Sequence, residues 1–144
     1  LVSRGLKVGE INAKTYDHHP RRRVELLRYL LNTLELSTDG KIADWPLKYS
    51  VKQDLSRKPE DSEGLIDIIR GIEGVEIAVF FEELKGGTIR VSMRSKNKAV
   101  NVCNVAQVFG GGGHAMAAGI RMEGSMADAR VQVLAELRKG LDAS

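Results

Sequence analysis

The sequence predicts a single α/β (α+β) domain in which a mixed β-sheet of about four to five strands is flanked by about four helices. Segments whose apolar residues recur at helical spacing alternate with segments whose apolar residues recur at every second position. A glycine-containing turn at 84–87 joins two of the alternating segments as a hairpin. The 144 residues, 42% hydrophobic and 28% charged, are enough for one core of ordinary size. We expect the domain to occupy 20–144 and the segment 1–19 to be a linker or the remnant of an N-terminal helix.

The first helix is predicted over 20–36 because apolar residues recur there at helical spacing, namely Val24, Leu27, Leu30, Leu31 and Leu34. After a turn at Asp39-Gly40, alternating apolar residues predict a strand over 41–49. Pro46 lies inside this strand, which favours an edge position or a break. A polar connection is expected over 51–59.

A second helix is predicted to begin near Pro59, since acidic residues in a first turn suit the helix dipole. Its buried side would consist of Leu65, Ile66, Ile68, Ile69 and Ile72. Asp61 and Glu63 are expected to cap this helix, and the alternative is that these acids pair with Arg94.

The second half of the chain reads as a hairpin followed by helix, strand and helix. The hairpin strands are predicted over 75–83 and 87–95, and a helix over 100–109. A short strand is predicted over 117–122, and a closing helix over 127–141.

Four consecutive glycines, Gly110–Gly113, directly precede His114. Without β-carbons, the backbone amides of such a loop can approach an anion closely, and a histidine at its edge can donate a further hydrogen bond. The run has neither the Gly-Lys-Ser/Thr ending of a Walker A motif nor the pattern of a dinucleotide-binding fingerprint. The sequence therefore predicts a phosphate site at Gly111, Gly112, Gly113 and His114.

Positive charge is concentrated around this run. The window 85–121 contains six lysines and arginines and no acid, so it carries +6, whereas the whole chain carries only +3. A local basic field beside a glycine loop favours an anionic partner, most simply a phosphate.

The strand over 87–95 supplies the predicted cationic contact. Alternation places Arg90, Ser92 and Arg94 on one face, and Ser95 on the other face with the apolar residues. We expect Arg94 to clamp a phosphate and Ser95 to bind beside it. Neither serine has a His/Asp partner that would make it a nucleophile. The other cations are expected to contribute mainly to the field, namely Arg90, Lys96 and Lys98.

The tetrapeptide Asp17-His18-His19-Pro20 contains metal-ligand residue types. The sixteen residues before it hold no buried strand and a single acid, Glu10, and Arg21–Arg23 follow directly. A divalent cation needs several converging carboxylates and would be repelled by the arginines. A helix start with Pro20 in the first turn explains the same residues, so no metal site is predicted in this chain.

The sequence predicts a soluble, cytoplasmic protein without a membrane partner. No apolar run approaches the roughly eighteen residues of a membrane span, and the first residues lack the apolar core of a signal peptide. The single cysteine, Cys103, cannot form an internal disulfide. Because the chain starts at Leu1 rather than Met, we expect a piece of a longer protein.

The order of the motifs resembles the DHH-associated C-terminal domain of the DHH phosphoesterase superfamily. The motifs that carry the resemblance are, in chain order, Asp61–Gly64, Ile72–Glu76, Arg94-Ser95, Gly110–His114 and Ala117–Gly119. The resemblance covers at least 41–141 and points to the branch of oligoribonucleases, pAp phosphatases and exopolyphosphatase-related proteins.

This resemblance implies a two-domain enzyme in which an N-terminal DHH domain, outside this chain, holds two divalent metal ions, usually manganese. The domain studied would bind the substrate across a cleft and would be inactive alone. Arg94 and Gly111–His114 would then bind the phosphate or terminal nucleotide of a short RNA, of a linear dinucleotide such as pApA, or of pAp. The family's own Asp-His-His motif belongs to the other domain, so its metal role is not transferred to 17–19.

Two alternatives remain open from the sequence. The chain could be a free-standing nucleotide- or nucleic-acid-binding module without catalysis, or an appended domain like that of alanyl-tRNA synthetase, which uses a related glycine-rich segment. The choice among short RNA, pAp, a linear dinucleotide and polyphosphate, and the oligomeric state, are not determined by the sequence.

Overall fold

A computed structural model describes residues 21–54 and 64–144, which form five helices around one six-stranded mixed sheet. The helices are α1 (Arg21–Thr33), α2 (Tyr49–Asp54), α3 (Leu65–Arg70), α4 (Val102–Val108) and α5 (Met126–Asp142). The strands are β1 (Glu35–Leu36), β2 (Ile42–Leu47), β3 (Ile77–Glu83), β4 (Ile89–Ser95), β5 (Gly112–His114) and β6 (Ala117–Met122). The predicted α/β class is confirmed, with slightly more strands than expected. None of the described helices is long and apolar enough to cross a membrane.

The strands lie in the order β1-β2-β3-β4-β6-β5. Only β2 and β3 run parallel, and the connection between them contains α2 and α3. The predicted hairpin joins β3 to β4, and the Leu84 amide donates to the Thr88 carbonyl at 2.8 Å. Gly86 and Gly87 both have positive φ in this turn, a conformation that glycine adopts without steric cost.

Helices cover the two faces of the sheet unevenly. On one face, α4 and α5 pack over β3, β4 and β6, with Val91, Met93 and Val133 in the core. On the other face, α1 and α3 pack against β2 and β3, where the Trp45 and Phe80 rings stack with centroids 4.7 Å apart. This second core ends at β3, because none of its described residues comes from β4, β6 or β5. The hydrophobic cover on this face therefore stops at β3, although α3 also approaches β4.

The first helix differs from its prediction in length and in its buried side. It ends at Thr33, and Leu36 belongs to β1 instead. Leu26 and Leu30 are fully buried, whereas Leu31 is 62% exposed. Leu26 and Leu30 lie one turn apart, so they define the line of contact with the sheet, and the apolar residues beside that line stay at the surface.

The strand β2, which contains Pro46, lies between β1 and β3, yet Pro46 itself is at an edge position, as expected. The neighbouring strand β1 pairs only with Ala43 and Asp44, so Pro46 faces no strand on that side. A proline is compatible with such a position because no ladder hydrogen bond is required of its nitrogen.

Part of the connection expected over 51–59 is helical, since α2 continues to Asp54. Asp17-His18-His19, Asp61 and Glu63 lie outside the described residues, so their predicted roles stay predictions.

Candidate phosphate-binding site

The register of β4, β6 and β5 aligns three rows of residues on the face that the helices leave uncovered. Residues directly opposite each other in antiparallel strands project from the same face. The first row contains Arg94, Ala117 and His114, the second contains Ser92, Gly119 and Gly112, and the third contains Arg90 and Arg121. We call this surface, made of these eight residues, the basic face.

The first row brings together the two side chains that the sequence singled out. Arg94 and His114 lie on either side of Ala117, with strand β6 between them, and the Ala117 methyl group leaves the space above it open. The Arg94 guanidinium donates to the Met93 carbonyl at 2.9 Å, and no described carboxylate forms an ion pair with it. His114 is exposed and has no hydrogen-bond partner among the described residues. Their donors are therefore available to an anion lying over Ala117.

The glycine run is not an open loop. Gly112–His114 form β5, an edge strand paired with β6 through Gly112–Gly119, Gly113–Ala118 and His114–Ala117. Alternate backbone groups of an edge strand point away from the sheet and can bind a ligand. The Gly111 amide instead donates to the Ala106 carbonyl at 2.8 Å, where it closes the end of α4. The helix end thus engages the Gly111 amide, and the phosphate-binding role of Gly111 stays a prediction.

Steric contacts explain why two of these positions are glycine. A β-carbon at Gly113 would lie 2.6 Å from both the Ala117 oxygen and the Ala118 Cα, and Gly113 has a φ of 143°. A β-carbon at Gly111 would collide with the Gly119 backbone oxygen. Gly112 has nothing within 4 Å of its would-be β-carbon. Gly111 and Gly113 are thus needed for close packing, whereas Gly112 leaves the basic face bare.

Ser95 lies on the opposite side of the strand from Arg94 and is only 1% exposed. Its hydroxyl donates to the Asn97 carbonyl at 2.9 Å and accepts from the Asn97 amide at 3.1 Å. The structure thus places Ser95 away from the basic face, and its predicted contact with phosphate stays a prediction. The hydroxyl instead stabilises the turn that follows β4.

The three cations predicted to contribute mainly to the positive field, Arg90, Lys96 and Lys98, have different surroundings. Lys96 donates to the Ile72 carbonyl at 3.3 Å, and Lys98 is exposed in the segment between β4 and α4. Arg90 pairs with Glu82, which is 1% exposed and also lies 3.4 Å from the Lys52 amine. The sequence did not reveal Glu82 as a partner, since β3 and β4 had to be paired in register before the two residues met.

A cavity of about 380 Å³ opens beside the first row. Its polar and glycine lining includes Arg90, Ser92, Gly110, Gly111, Gly119 and Arg121. Arg121 was counted only as part of the basic window, although alternation along β6 already places it on the same face as Ala117 and Gly119. The alternation of side chains along β6 could therefore have predicted that Arg121 belongs to the site.

The described residues offer no metal centre. No group of three or more His, Cys, Asp or Glu side chains comes together in 21–54 and 64–144. The resemblance places the two metal ions in the N-terminal DHH domain outside this chain, which the described residues do not test.

Comparison with known proteins gives a family match and relatives of known structure. The DHHA1 domain family matches residues 47–142. The chain is 30% identical over 142 residues to the bifunctional oligoribonuclease and PAP phosphatase NrnA of Thermus thermophilus, covering 98% of this chain and 41% of that protein. Its fold matches an exopolyphosphatase-related protein from Bacteroides fragilis with a TM-score of 0.83 and 28% identity, covering 96% of this chain and 40% of the other.

The fold also occurs in the C-Ala domain of alanyl-tRNA synthetase from Aquifex aeolicus, with a TM-score of 0.50 over 72% of this chain and 96% of that domain. At 22% identity this likeness shows the fold alone. The chain spans about two fifths of the length of the first two relatives. Since the family match extends over about two thirds of the residues and agrees with the resemblance seen in the motifs, this chain belongs to the DHHA1 domain family.

Proposed function

We propose that this chain is the substrate-binding domain of a two-domain DHH phosphoesterase, and that its basic face binds a phosphoryl group of a nucleotide or short RNA. The observation that carries the proposal is the row of Arg94, Ala117 and His114, in which two donor side chains lie on the same face of the sheet on either side of Ala117. The names of the two larger relatives, an oligoribonuclease and PAP phosphatase and an exopolyphosphatase-related protein, support a phosphorylated substrate.

The donors of this row suit a phosphoryl group. A planar guanidinium can give two parallel hydrogen bonds to phosphate oxygens, which the point charge of a lysine does not reproduce. The imidazole of His114 can supply a third donor from the other side of Ala117.

In the whole enzyme, an N-terminal DHH domain with two divalent ions, expected to be manganese, would supply the hydrolytic chemistry. The domain described here would hold the phosphoryl group in place and offset its charge. Positioning of this kind converts a bimolecular encounter into a reaction of a held substrate, which lowers the barrier to hydrolysis.

Arg94→Ala is expected to weaken binding of a short 5′-phosphorylated RNA to this chain by about ten- to a hundredfold, because one charge-assisted bidentate contact is lost. Arg94→Lys should recover only part of the affinity. Titration by calorimetry at low salt would measure both effects. His114→Ala should also weaken binding, by a smaller factor, because a single hydrogen bond is lost.

Lys85→Ala is the matched control. It removes one positive charge from the same window, but Lys85 lies in the hairpin turn and not on the basic face. Denaturant unfolding should show that all these variants keep their fold, since His114 and Lys85 are exposed and Arg94 is only half-buried. Unchanged affinity in both Arg94→Ala and His114→Ala would overturn the site.

The alternative, a free-standing binding module, differs in its relation to catalysis. With manganese added, we expect this chain alone to bind the RNA without hydrolysing it, and the full-length parent protein to hydrolyse it. Manganese-dependent cleavage by the 144-residue chain would contradict the proposal and would direct attention to Asp17-His18-His19. A parent without hydrolytic activity would favour the binding module.

A further inference from the structure

We propose that the outward side of α1, formed by Val24, Leu27 and Leu31, is the surface on which the N-terminal domain of the parent protein docks. We call these three residues the outward stripe. The inference rests on the proposed function, which requires such a domain, and it adds the surface on which the two domains meet. The partner that fits is an apolar patch of that domain bordered by carboxylates.

The helix α1 carries apolar side chains on two of its sides. Leu26 and Leu30 are fully buried against the sheet, whereas Val24 is 49% and Leu31 is 62% exposed. Val24 and Leu31 are seven residues apart, close to two helical turns, so they lie on one side of the helix with half-buried Leu27 between them. At 3.6 residues per turn, this side is rotated by roughly a third of a turn from the line of Leu26 and Leu30. The core therefore uses one side of α1 and leaves a second apolar side at the surface.

The register of the sheet places α1 on the same side as the basic face. Ala78 and Phe80 of β3 belong to the core beneath α1 and α3. Their partners on β4 are Arg94 and Ser92, and residues directly opposite each other project from the same face. A domain that rests on the outward stripe would therefore lie above the side of the sheet that carries Arg94 and His114. The docked domain and the basic face would then border one cleft, as the proposed function requires.

The position of α1 in the sequence favours the N-terminal domain as the occupant. The DHHA1 family match begins at residue 47, so α1 precedes it. The match to the larger NrnA relative covers 142 residues of this chain and therefore includes α1, although the chain spans only 41% of that protein. Sequence that is shared with a larger protein but lies outside the domain match is suited to contact a part of the parent that the domain family lacks.

The size and charge of the outward stripe suit a domain of the same chain better than a second copy of this one. Three apolar side chains are far fewer than the roughly 20–30 residues that each partner contributes to a stable interface between separate proteins. A domain joined in the same chain is present at a high effective concentration, so a smaller surface can hold it. The helix contains four arginines and one glutamate and so carries +3, which makes two copies repel each other and favours carboxylates on the partner.

Hydrogen–deuterium exchange in the parent protein and in the 144-residue chain would test the docking surface. We expect the backbone amides of α1 to exchange about tenfold or more slowly in the parent, because docking suppresses local opening of the helix. Leu31→Gln in the parent should remove most of this difference, since it places a polar side chain of similar length in an apolar contact.

Val131→Gln is the matched control. Val131 is 70% exposed on α5, whose core residues pack on the other face of the sheet, so its replacement should leave the exchange of α1 unchanged. In the isolated chain, both variants should unfold close to the wild-type midpoint, because both side chains are exposed there.

Equal exchange of α1 in the parent and in the isolated chain would overturn the docking surface, and so would a difference that Leu31→Gln does not reduce. Slower exchange that develops in the isolated chain as it dimerises, measured by sedimentation, would show that a second copy covers the stripe instead. Manganese-dependent hydrolysis of short RNA by the parent judges the proposed function separately. A parent that hydrolyses the RNA without protecting α1 contradicts the docking alone, and one that protects α1 without hydrolysis contradicts the proposed function alone.

Discussion

Gly113→Ala is expected to lower the free energy of unfolding by about 3 kcal/mol and to abolish phosphate binding by displacing β5. A positive-φ conformation of this kind costs a residue with a side chain of order 1–3 kcal/mol by itself. The new methyl group would also lie 2.6 Å from the Ala117 oxygen and the Ala118 Cα, both of which belong to the backbone of β6 and cannot rotate away. Denaturant unfolding measures the first effect, and titration with a 5′-phosphorylated RNA measures the second.

Gly112→Ala provides the matched stability control, since it adds the same methyl group one residue earlier with nothing within 4 Å. Its φ is not in the left-handed region, so loss of unfolded-chain entropy should leave its stability unchanged or higher by about 0.5 kcal/mol. Equal stability of the Gly113→Ala and Gly112→Ala variants would show that β5 does not pack on β6 as described.

Arg130→Met is expected to destabilise the domain by about 3 kcal/mol at pH 7, because it leaves a buried carboxylate without its cation. Asp44 is 5% exposed in the middle of β2, and the Arg130 Nε donates to it at 2.8 Å. Glu35 lies 3.6 Å from the same guanidinium at the surface. The effect is placed at the lower end of the range for buried pairs since the Arg130 side chain keeps 26% exposure.

The loss of stability caused by Arg130→Met should become smaller as the pH falls. Burial raises the pKa of Asp44, and Arg130 opposes that shift, so removing Arg130 raises the pKa further. A carboxyl whose pKa is higher in the folded than in the unfolded state contributes stability that is present at low pH and lost as the pH rises through the folded pKa. The variant should therefore be closer to wild type at pH 4.5 than at pH 7.

Arg28→Met is the control for this pair. Arg28 forms an exposed ion pair with Glu25 at 3.2 Å, and its own side chain is 68% exposed, so its loss should cost less than about 1 kcal/mol at either pH. The double variant Asp44→Asn/Arg130→Met should regain part of the stability, because the unpaired charge is gone. A pH-independent loss in Arg130→Met would contradict the role assigned to the Asp44 charge.

The glycine run shows which features of the site could be predicted from the sequence and which could not. Four glycines before a histidine in a basic window predicted an anion site, and the structure places His114 on the same face as Arg94, across Ala117. The strand β5 was not predicted, because Gly-Gly-His has no β-propensity and forms a strand only where Ala118 and Gly119 let its backbone approach. The hydrogen bond from the Gly111 amide to α4 was not predicted either, because it depends on the residue at which the helix ends.

The burial of two acidic residues in strands was the second feature that the sequence pattern did not predict. Asp44 and Glu82 lie in strands that were predicted correctly, but polar residues in a strand are expected at the surface. Each is buried beside a cation from a distant part of the chain, Arg130 in one case and Arg90 in the other. No local signal in β2 or β3 identifies those partners.

The sequence by itself determined the α/β class, the hairpin with its glycine turn, the bounds of β6 and the motif order of the family. These features depend on neighbours within a few residues, where side-chain period and turn chemistry act directly. Only the tertiary structure decided that Arg94 and His114 lie in one row with Ala117 of β6 between them, and that Arg90 lies opposite Arg121. Alternation tells which side of a strand a residue occupies, but its partner across the sheet is set by register, and register is fixed by how the two cores pack.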